Sequence, residues 1–427
     1  MTQLLKPLLS LCKLISYVIF VVLIGMIAYL NVRLYYTPTY VKNETATINE
    51  DVRHQLNYLK NYLHKDGGEK AQNQYPEGFI FINALYGLAW CDFIANLPTG
   101  HPIRLEGLQE IDWALEELER SYAQELFPHT IQPQRGIFYL GWKNYLLGQK
   151  LALQNSENWE SVDRIQFEQQ CAAIYTAYQT TSKVYLASYV DLAWPADNMV
   201  AVASLALYNR NLEPKYDLFI KKWIQQVKEK LDPATQLIPH EVEYENAAVR
   251  EGARGCSQSL MLNFLLEIDA KFAQEQFKKY KKQFLDNRFG LVGIREYRMD
   301  TTGLEDVDSG PVILDIGGAA SLVGQRTMAR YKDIETAIVL RNSIECFGVA
   351  YTHKQQKKYV FGLEPIADVF IVWANVIDLS EAEKQVGNWR WKFQLLSLMV
   401  LAILLFVIRK FFFKKKKIEK YGTNNRT

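Results

Sequence analysis

The chain has 427 residues, of which 49% are hydrophobic and 22% charged, and its formal net charge at pH 7 is +2. A charge so close to neutral gives no reason to expect a polyanionic partner, so we predict no nucleic acid binding. The length leaves room for one large domain or two moderate ones.

An apolar segment near the start of the chain, residues 14–30, contains no charged residue. Its length is close to the lower limit for a helix that crosses a membrane. Lys6 and Lys13 could instead form the basic part of a cleaved signal peptide, but the apolar run is long and no small-residue cleavage pattern follows it. We therefore predict a short cytoplasmic N-terminus and an uncleaved transmembrane helix over residues 14–31.

A second apolar segment, residues 393–408, is followed at once by a dense block of lysine and arginine in residues 409–417. Such a block stops translocation and marks the cytoplasmic side of a membrane. It also favours contact with anionic lipid headgroups, so membrane lipids are a predicted partner of the tail, residues 409–427. Both termini are then cytoplasmic, and the region between the two spans lies outside, at the inner or plasma membrane.

The region between the spans shows helical periodicity throughout, with no alternation of strands and helices. Charged helices with one apolar face alternate with helices that are apolar nearly all round, which indicates an outer and an inner layer. Between linkers at 32–47 and 381–392, the domain at 48–380 divides into six such pairs. The predicted pairs are 48–64 with 78–95, 105–122 with 136–153, 165–181 with 197–209, 214–231 with 253–267, 269–286 with 310–324, and 330–349 with 366–379.

Long loops rich in Gly, Pro and aromatic residues lead from each outer helix to its inner helix, and would gather at one mouth. This plan resembles the six-hairpin (α/α)6 toroid superfamily, which contains glycoside hydrolases, polysaccharide lyases, sugar epimerases and the linalool dehydratase/isomerase group. The resemblance covers roughly residues 48–380. It implies an all-α fold, an (α/α)6 toroid of six helical hairpins flanked by the two transmembrane helices. A two-domain helical array is the alternative, although no fixed-period repeat favours it.

The positions of the cysteines and glycines suggest residues that pack in the protein interior, with no motif for a metal ion or cofactor. Cys91, Cys171, Cys256 and Cys346 fall in predicted helices at wide spacings, so we expect buried free thiols. No motif indicates a metal ion or another cofactor, so none is predicted. The glycine-rich residues 310–324 lack the spacing of a nucleotide loop and are predicted to be a closely packed inner helix.

Acidic residues in the loops before the inner helices are the candidate catalytic groups. Hydrolysis of a glycosidic bond needs one carboxyl that protonates the leaving oxygen and another that activates water. Asp308 is the first candidate because residues 309–311 would begin an inner helix directly after it. Glu251, Asp197 and Glu77 are the candidate partners.

Other residues of these loops are candidates for substrate binding. Aromatic rings stack on sugars or shape an apolar pocket, and arginine binds carboxylate or phosphate. The predicted contacts are Tyr75, Arg135, Tyr189, Trp194, Arg254 and Asp306. Helix capping is the alternative role for acids in such positions, and we expect it for Glu364 and Asp368.

These features predict an enzyme that processes carbohydrate at the cell envelope, most simply a glycoside hydrolase and less simply a lyase or epimerase. Its partner would be an envelope glycan. A second hypothesis is a dehydratase or isomerase acting on an apolar, isoprenoid-like alcohol, with roles imagined for Cys256, His240, Tyr189 and Asp191. A third is a non-catalytic envelope assembly protein. No oligomeric state is predicted.

Overall fold

The structure is a computed structural model that describes residues 2–42, 46–154, 159, 161–382 and 387–412. Helix accounts for 63% of it and strand for 9%, which confirms the predicted helical class. The predicted cationic block at 414–417 lies outside the described residues.

Sixteen α-helices occur among the described residues. They are α1 (Thr2–Arg33), α2 (Glu50–Tyr62), α3 (Gly68–Gln74), α4 (Gly78–Ile94), α5 (Pro102–Glu119), α6 (Ser121–Glu125), α7 (Gly136–Ala152), α8 (Ser161–Thr181), α9 (Pro195–Asn211), α10 (Asp217–Lys228), α11 (Gly255–Ile268), α12 (Ala270–Phe284), α13 (Gly318–Arg330), α14 (Ile334–Phe347), α15 (Pro365–Asn375) and α16 (Trp391–Phe412). A π-helical turn, Leu63–Gly67, joins α2 to α3, and a 3-10 turn, Val360–Gly362, precedes α15.

The strands are short and form five antiparallel groups in the connections. They are β1 (Tyr40–Lys42) with β2 (Thr47–Asn49), β3 (Leu192–Ala193) with β4 (Glu241–Glu243) and β5 (Val249–Glu251), β6 (Leu285–Arg288) with β7 (Leu291–Ile294), β8 (Val312–Ile313) with β9 (Ile316–Gly317), and β10 (Tyr351–His353) with β11 (Gln356–Lys358). In the three-stranded group, β4 lies between β3 and β5.

The two terminal helices form a compact unit of their own together with residues 289–291. Lys13–Arg33 of α1 and Trp391–Phe411 of α16 are each long and apolar enough to cross a membrane. The end of α1 lies against the start of α16, because Asn31 Nδ2 donates a hydrogen bond to Ser397 Oγ at 2.9 Å.

Two kinds of helix alternate along the second unit, and burial separates them as the sequence predicts. Helix α10 is charged and buries one stripe, Ile220, Trp223, Ile224 and Val227, at the spacing of a one-faced helix. Helices α4, α7, α9, α11, α13 and α15 are instead buried on most sides.

Neighbouring apolar helices contact one another in chain order, α4 with α7, α7 with α9, α9 with α11, α11 with α13, and α13 with α15. Helix α15 in turn contacts α4. The charged helices α5, α8, α10, α12 and α14 each pack on the apolar helix that precedes them, and α2 packs on α15.

Aromatic rings occupy the space among four of the apolar helices. Phe81 of α4 meets Phe138 and Trp142 of α7 edge-on, with ring centroids 5.2 and 5.4 Å apart. Trp142 contacts Phe264 of α11 at 5.5 Å, and Phe264 stacks on Trp373 of α15 at 6.2 Å. The interior between these helices is therefore apolar and well packed.

One predicted element is wrong over half of its length. Residues 310–324 were expected to be a single inner helix, but helix α13 begins only at Gly318. Leu314 and Asp315 have φ of +53° and +69° and form the tight turn of the β8–β9 hairpin. Asp308 is therefore separated from the helix by a hairpin, and the reason given for its first rank does not hold.

Cys91, Cys171, Cys256 and Cys346 are buried and form no disulfide among the described residues, as predicted. Burial raises the pKa of the Cys171 thiol to about 12 and also raises the pKa of the Cys91 thiol. These two thiols are thus protonated at neutral pH, as expected for packing groups.

Candidate functional site

The N-terminal ends of the six apolar helices share one property. At each of them the N-cap residue makes no side-chain hydrogen bond to the helix backbone; these residues are Glu77, Arg135, Trp194, Arg254, Gly317 and Glu364. Three of the charged helices differ, since Asn49 caps α2, His101 caps α5 and Asp269 caps α12 through their side chains, whereas α10 and α14 have no such cap.

The capping role expected for two acids is wrong. The Glu364 carboxylate instead accepts a hydrogen bond from the Tyr75 hydroxyl at 2.9 Å. Asp368 Oδ1 accepts from the Tyr359 backbone N–H at 2.9 Å, outside the start of α15. Both acids are used to hold loops in place.

Asp197 lies buried in the first turn of α9, where Ser188 Oγ donates a hydrogen bond to its Oδ2 at 2.5 Å. Burial raises the pKa of Asp197, the bond from Ser188 opposes this, and the charges of Glu77 and Asp308 add to it, giving a pKa of about 8. Asp197 is therefore mostly protonated at neutral pH.

Glu77 lies immediately before α4 and is held by an aromatic loop residue. Its Oε1 accepts a hydrogen bond from the Tyr189 hydroxyl at 2.8 Å. The Tyr189 ring stacks on Phe127 at 5.5 Å and meets Trp194 edge-on at 6.1 Å. Burial raises the pKa of Glu77, and the charge of Asp308 adds to this against the bond from Tyr189.

Asp308 is half-exposed and faces a buried histidine. His240 Nε2 lies 3.3 Å from Asp308 Oδ2 and 3.9 Å from Glu251 Oε2. Because Nε2 faces two carboxylates, it carries the ring hydrogen in the neutral form, and Nδ1 is then an acceptor. Nδ1 is buried and has no hydrogen-bond partner among the described residues.

Arg254 links three more acids. Its Nε lies 2.8 Å from Glu296 Oε1, its Nη2 donates to Asp306 Oδ1 at 2.8 Å, and its Nη1 lies 3.3 Å from Glu251 Oε1. Burial raises the pKa of Asp306, but the hydrogen bonds from Arg254 and from the Ser309 backbone outweigh it and lower the pKa to about 2. Arg254 is only 2% exposed, so its positive charge interacts mainly with these three acids and little with solvent.

Glu296 is a site residue that the sequence reasoning missed. Its side chain is fully buried, and Cys256 Sγ donates to its Oε1 at 2.9 Å. Its Oε2 has no hydrogen-bond partner in the described part of the chain. Burial raises the pKa of Glu296, with Arg254 and Cys256 opposing.

Two glycines make room for the segment that carries Glu296. A Cβ on Gly255 would lie 1.9 Å from the Arg295 carbonyl oxygen, and one on Gly317 would lie 2.7 Å from Glu296 Oε2. Glu296 follows a short strand that contains Gly293, but no Pro or Gly is directly adjacent to the acid. The one available signal was the close approach that Gly255 and Gly317 require.

Eight side chains are joined in this way by contacts or by the influence of one charge on another. We call them the mouth cluster; its members are Glu77, Asp197, His240, Glu251, Arg254, Glu296, Asp306 and Asp308. The four predicted catalytic acids are all members, although their catalytic role stays a prediction.

Three candidate residues have other surroundings. Tyr75 is bonded to Glu364 as described, and Arg135 Nη1 donates to the Gln124 carbonyl at 2.6 Å. Asp191, proposed for the alcohol enzyme, is exposed in a turn with φ of +59°. Tyr189 and Trp194 adjoin the mouth cluster through Glu77.

Comparison with known proteins adds no family to this description. No protein-family model matches the chain, and no curated protein gives a significant match.

Proposed function

We propose that this protein is a membrane-anchored enzyme that hydrolyses a glycosidic bond by acid–base catalysis at the mouth cluster. The observation that carries the proposal is the unlike state of two neighbouring acids. Asp197 is buried with a pKa of about 8, while Asp308 is half-exposed and its Oδ2 lies 3.3 Å from His240 Nε2. Pairs of carboxyls with unlike surroundings serve as acid and base in many such enzymes.

Each residue has a role in this proposal. Protonated Asp197 gives its proton to the leaving oxygen, and Asp308 takes a proton from the attacking water, held in place by His240. Tyr189 and Trp194 provide ring faces beside Glu77 for a sugar to stack on. A separation of about 6.5–9.5 Å between the two acting carboxyls would give inversion at the anomeric carbon.

The fold and the topology belong to the same proposal. Contacts that pass along the six apolar helices and return from α15 to α4 support an (α/α)6 toroid with its long loops at one mouth. The basic residues beside the two apolar spans support cytoplasmic termini and an extracytoplasmic domain.

Activity of acid variants tests the hydrolase. Full-length protein in lipid nanodiscs is mixed with polysaccharide purified from the envelope of its source, and new reducing ends are measured. We expect Asp197→Asn and Asp308→Asn each to lower the rate by about 10²–10⁴-fold, since each removes one proton-transfer group. Glu245→Gln is the matched control, because that acid is largely exposed and its ion pair among the described residues is with Lys183.

Two results would count against the hydrolase. Both acid variants could keep the wild-type rate, or folded wild-type protein could release no reducing ends from any envelope fraction. In the second case the non-catalytic assembly protein becomes the better description.

A dehydratase acting on an isoprenoid-like alcohol is the second candidate, and a particular grouping favours it. Tyr189, His240 and Cys256 each contact a carboxylate of the mouth cluster, and aromatic rings occupy the space among the apolar helices. In that reaction an acid protonates the hydroxyl, water leaves, and a base removes a carbon-bound proton. Alkene released from geraniol by the wild type, and lost in Cys256→Ser, would favour it over the hydrolase.

A further inference from the structure

The charges of the mouth cluster do not balance. Its members are six carboxyl groups, one guanidinium and one imidazole. Two nearby arginines do not neutralise these carboxyl groups. Arg250 pairs with Glu241, and Arg295 pairs with Asp286 and Asp315. Even with Asp197 protonated, acidic groups outnumber the cationic groups beside them.

The cluster also has acceptors without donors. Glu296 Oε2 and His240 Nδ1 are buried and, among the residues that the structure describes, neither has a hydrogen-bond partner. Their side chains are 0% and 5% exposed. Both atoms accept hydrogen bonds when His240 is neutral, so what they lack is N–H or O–H donors.

The two atoms belong to one locality. The charge state of His240 acts on Glu296, and Arg254 bonds both Glu296 and Glu251, which His240 faces. A ligand that satisfied both unpartnered acceptors and the excess of carboxyl groups would carry a positive charge and several hydrogen-bond donors.

We propose that the mouth cluster binds a protonated amine, so that the substrate is an amine-bearing molecule such as an amino sugar. An ammonium group offers three N–H donors and one positive charge, which match the unpartnered acceptors and the surplus of acids. A metal ion fits less well: the described residues hold no group of three or more His, Cys, Asp or Glu arranged around a common point. The inference rests on the mouth cluster being the site of the proposed function.

Binding of a matched pair of probes tests the proposal without knowledge of the natural substrate. Cyclohexylammonium and the neutral cyclohexanol have the same ring and differ in charge and donors. Titration calorimetry on the full chain in nanodiscs, at pH 7 and low salt, should show the ammonium binding at least about tenfold more tightly.

Variants locate the effect. Glu296→Gln removes one charge and should weaken ammonium binding about tenfold while leaving cyclohexanol binding unchanged. Glu245→Gln removes the same charge from the exposed surface and should change neither. Asp308→Asn, at a half-exposed position that tolerates change more easily, serves if Glu296→Gln does not fold.

Equal binding of the two probes overturns the proposal. So does ammonium binding that survives both Glu296→Gln and Asp308→Asn unchanged. The Asp197→Asn rate measurement is independent of both results. The amine proposal can therefore be wrong while the hydrolase proposal is still supported. If the hydrolase fails instead, the ammonium preference is still a separate, measured property.

Discussion

At the C-terminal ends of α4, α7 and α15, arginines donate to backbone carbonyls, whereas the N-cap residues of the six apolar helices make no side-chain hydrogen bond to the helix backbone. Arg104 Nη1 bonds the Ile94 carbonyl at 2.7 Å, and its Nη2 bonds the Leu153 carbonyl at 2.6 Å. Arg326 Nη1 bonds the Trp373 carbonyl at 2.6 Å. These bonds satisfy carbonyls that have no partner within their own helix.

The two kinds of helix end differ in what their charged side chains bond: helix backbone at the C-terminal ends, and loop residues at the N-terminal ends. Cations at helix C-termini complement the helix dipole, and acids at N-termini could do the same. Asp197 and Glu77 do occupy N-terminal positions, but they bond Ser188 and Tyr189 of the loops. Burial raises the pKa of both acids, so the surroundings disfavour their charged forms, and such perturbed acids are common at functional sites.

Removing a C-terminal arginine should have the largest effect on stability. Arg326→Met leaves the buried Trp373 carbonyl without its donor, breaks the 2.7 Å pair with Asp92, and removes a cation that lies 4.3 Å from the Trp373 ring. We expect a loss of about 2–4 kcal/mol in the free energy of unfolding, measured by urea titration in detergent.

Arg164→Met is the control for that loss. Arg164 is half-exposed on α8 and pairs with Glu168 one turn away. Its loss should be under about 0.5 kcal/mol. Similar losses for the two variants would mean that the C-terminal arginines do not hold the ends of the helices.

At the mouth, Asp197→Asn should change the pH dependence of stability. The folded pKa of Asp197, about 8, lies above its unfolded value of about 3.9, so its contribution is complete at low pH and is lost as pH rises towards 8. We expect the wild type to lose up to about 1.4 kcal/mol per pH unit through this group between pH 5 and 8. The variant should show a flatter curve, and parallel curves would contradict the raised pKa.

The smallest effect compares the starts of a charged and an apolar helix. Asn49 Oδ1 accepts from two backbone N–H groups of α2, so Asn49→Ala should cost about 1 kcal/mol. Glu364→Gln at the start of α15 should cost less than about 0.5 kcal/mol, because the side chain caps nothing and Gln can still accept from Tyr75. Equal costs measured by thermal melting would contradict the distinction between the two kinds of helix start.

Helical periodicity was enough to predict the helical class and most of the individual helices. The helix expected over 197–209 is α9, Pro195–Asn211, since a proline begins it and an apolar run fills it. Residues 310–324 misled the same reasoning, because apolar residues and glycines suit a packed helix and a tight hairpin equally well. The left-handed backbone at Leu314 and Asp315 decides between them; Leu gives no signal of that conformation, and Asp gives only a weak one.

The site residues in loops directly before apolar helices could be predicted from the sequence. A site residue that reaches the cluster through a contact distant in sequence could not. Asp197 and Glu77 lie next to the helices that position them. Glu296 reaches the cluster because its backbone carbonyl accepts from Gly255 N–H at 2.7 Å, across 41 positions of sequence. Such a pairing depends on the whole fold, and a local pattern does not encode it.

The pairing of α1 with α16 has a consequence for how the domain between them unfolds. Asn31 and Ser397 join the end of one apolar helix to the start of the other, so the intervening chain is tied at both ends. As long as these two helices stay associated, the chain between them unfolds as a closed loop of several hundred residues, with fewer conformations than a free chain has. For cross-links that close long loops, this restriction is worth on the order of 5 kcal/mol. The denatured domain therefore keeps its two ends together until α1 and α16 separate.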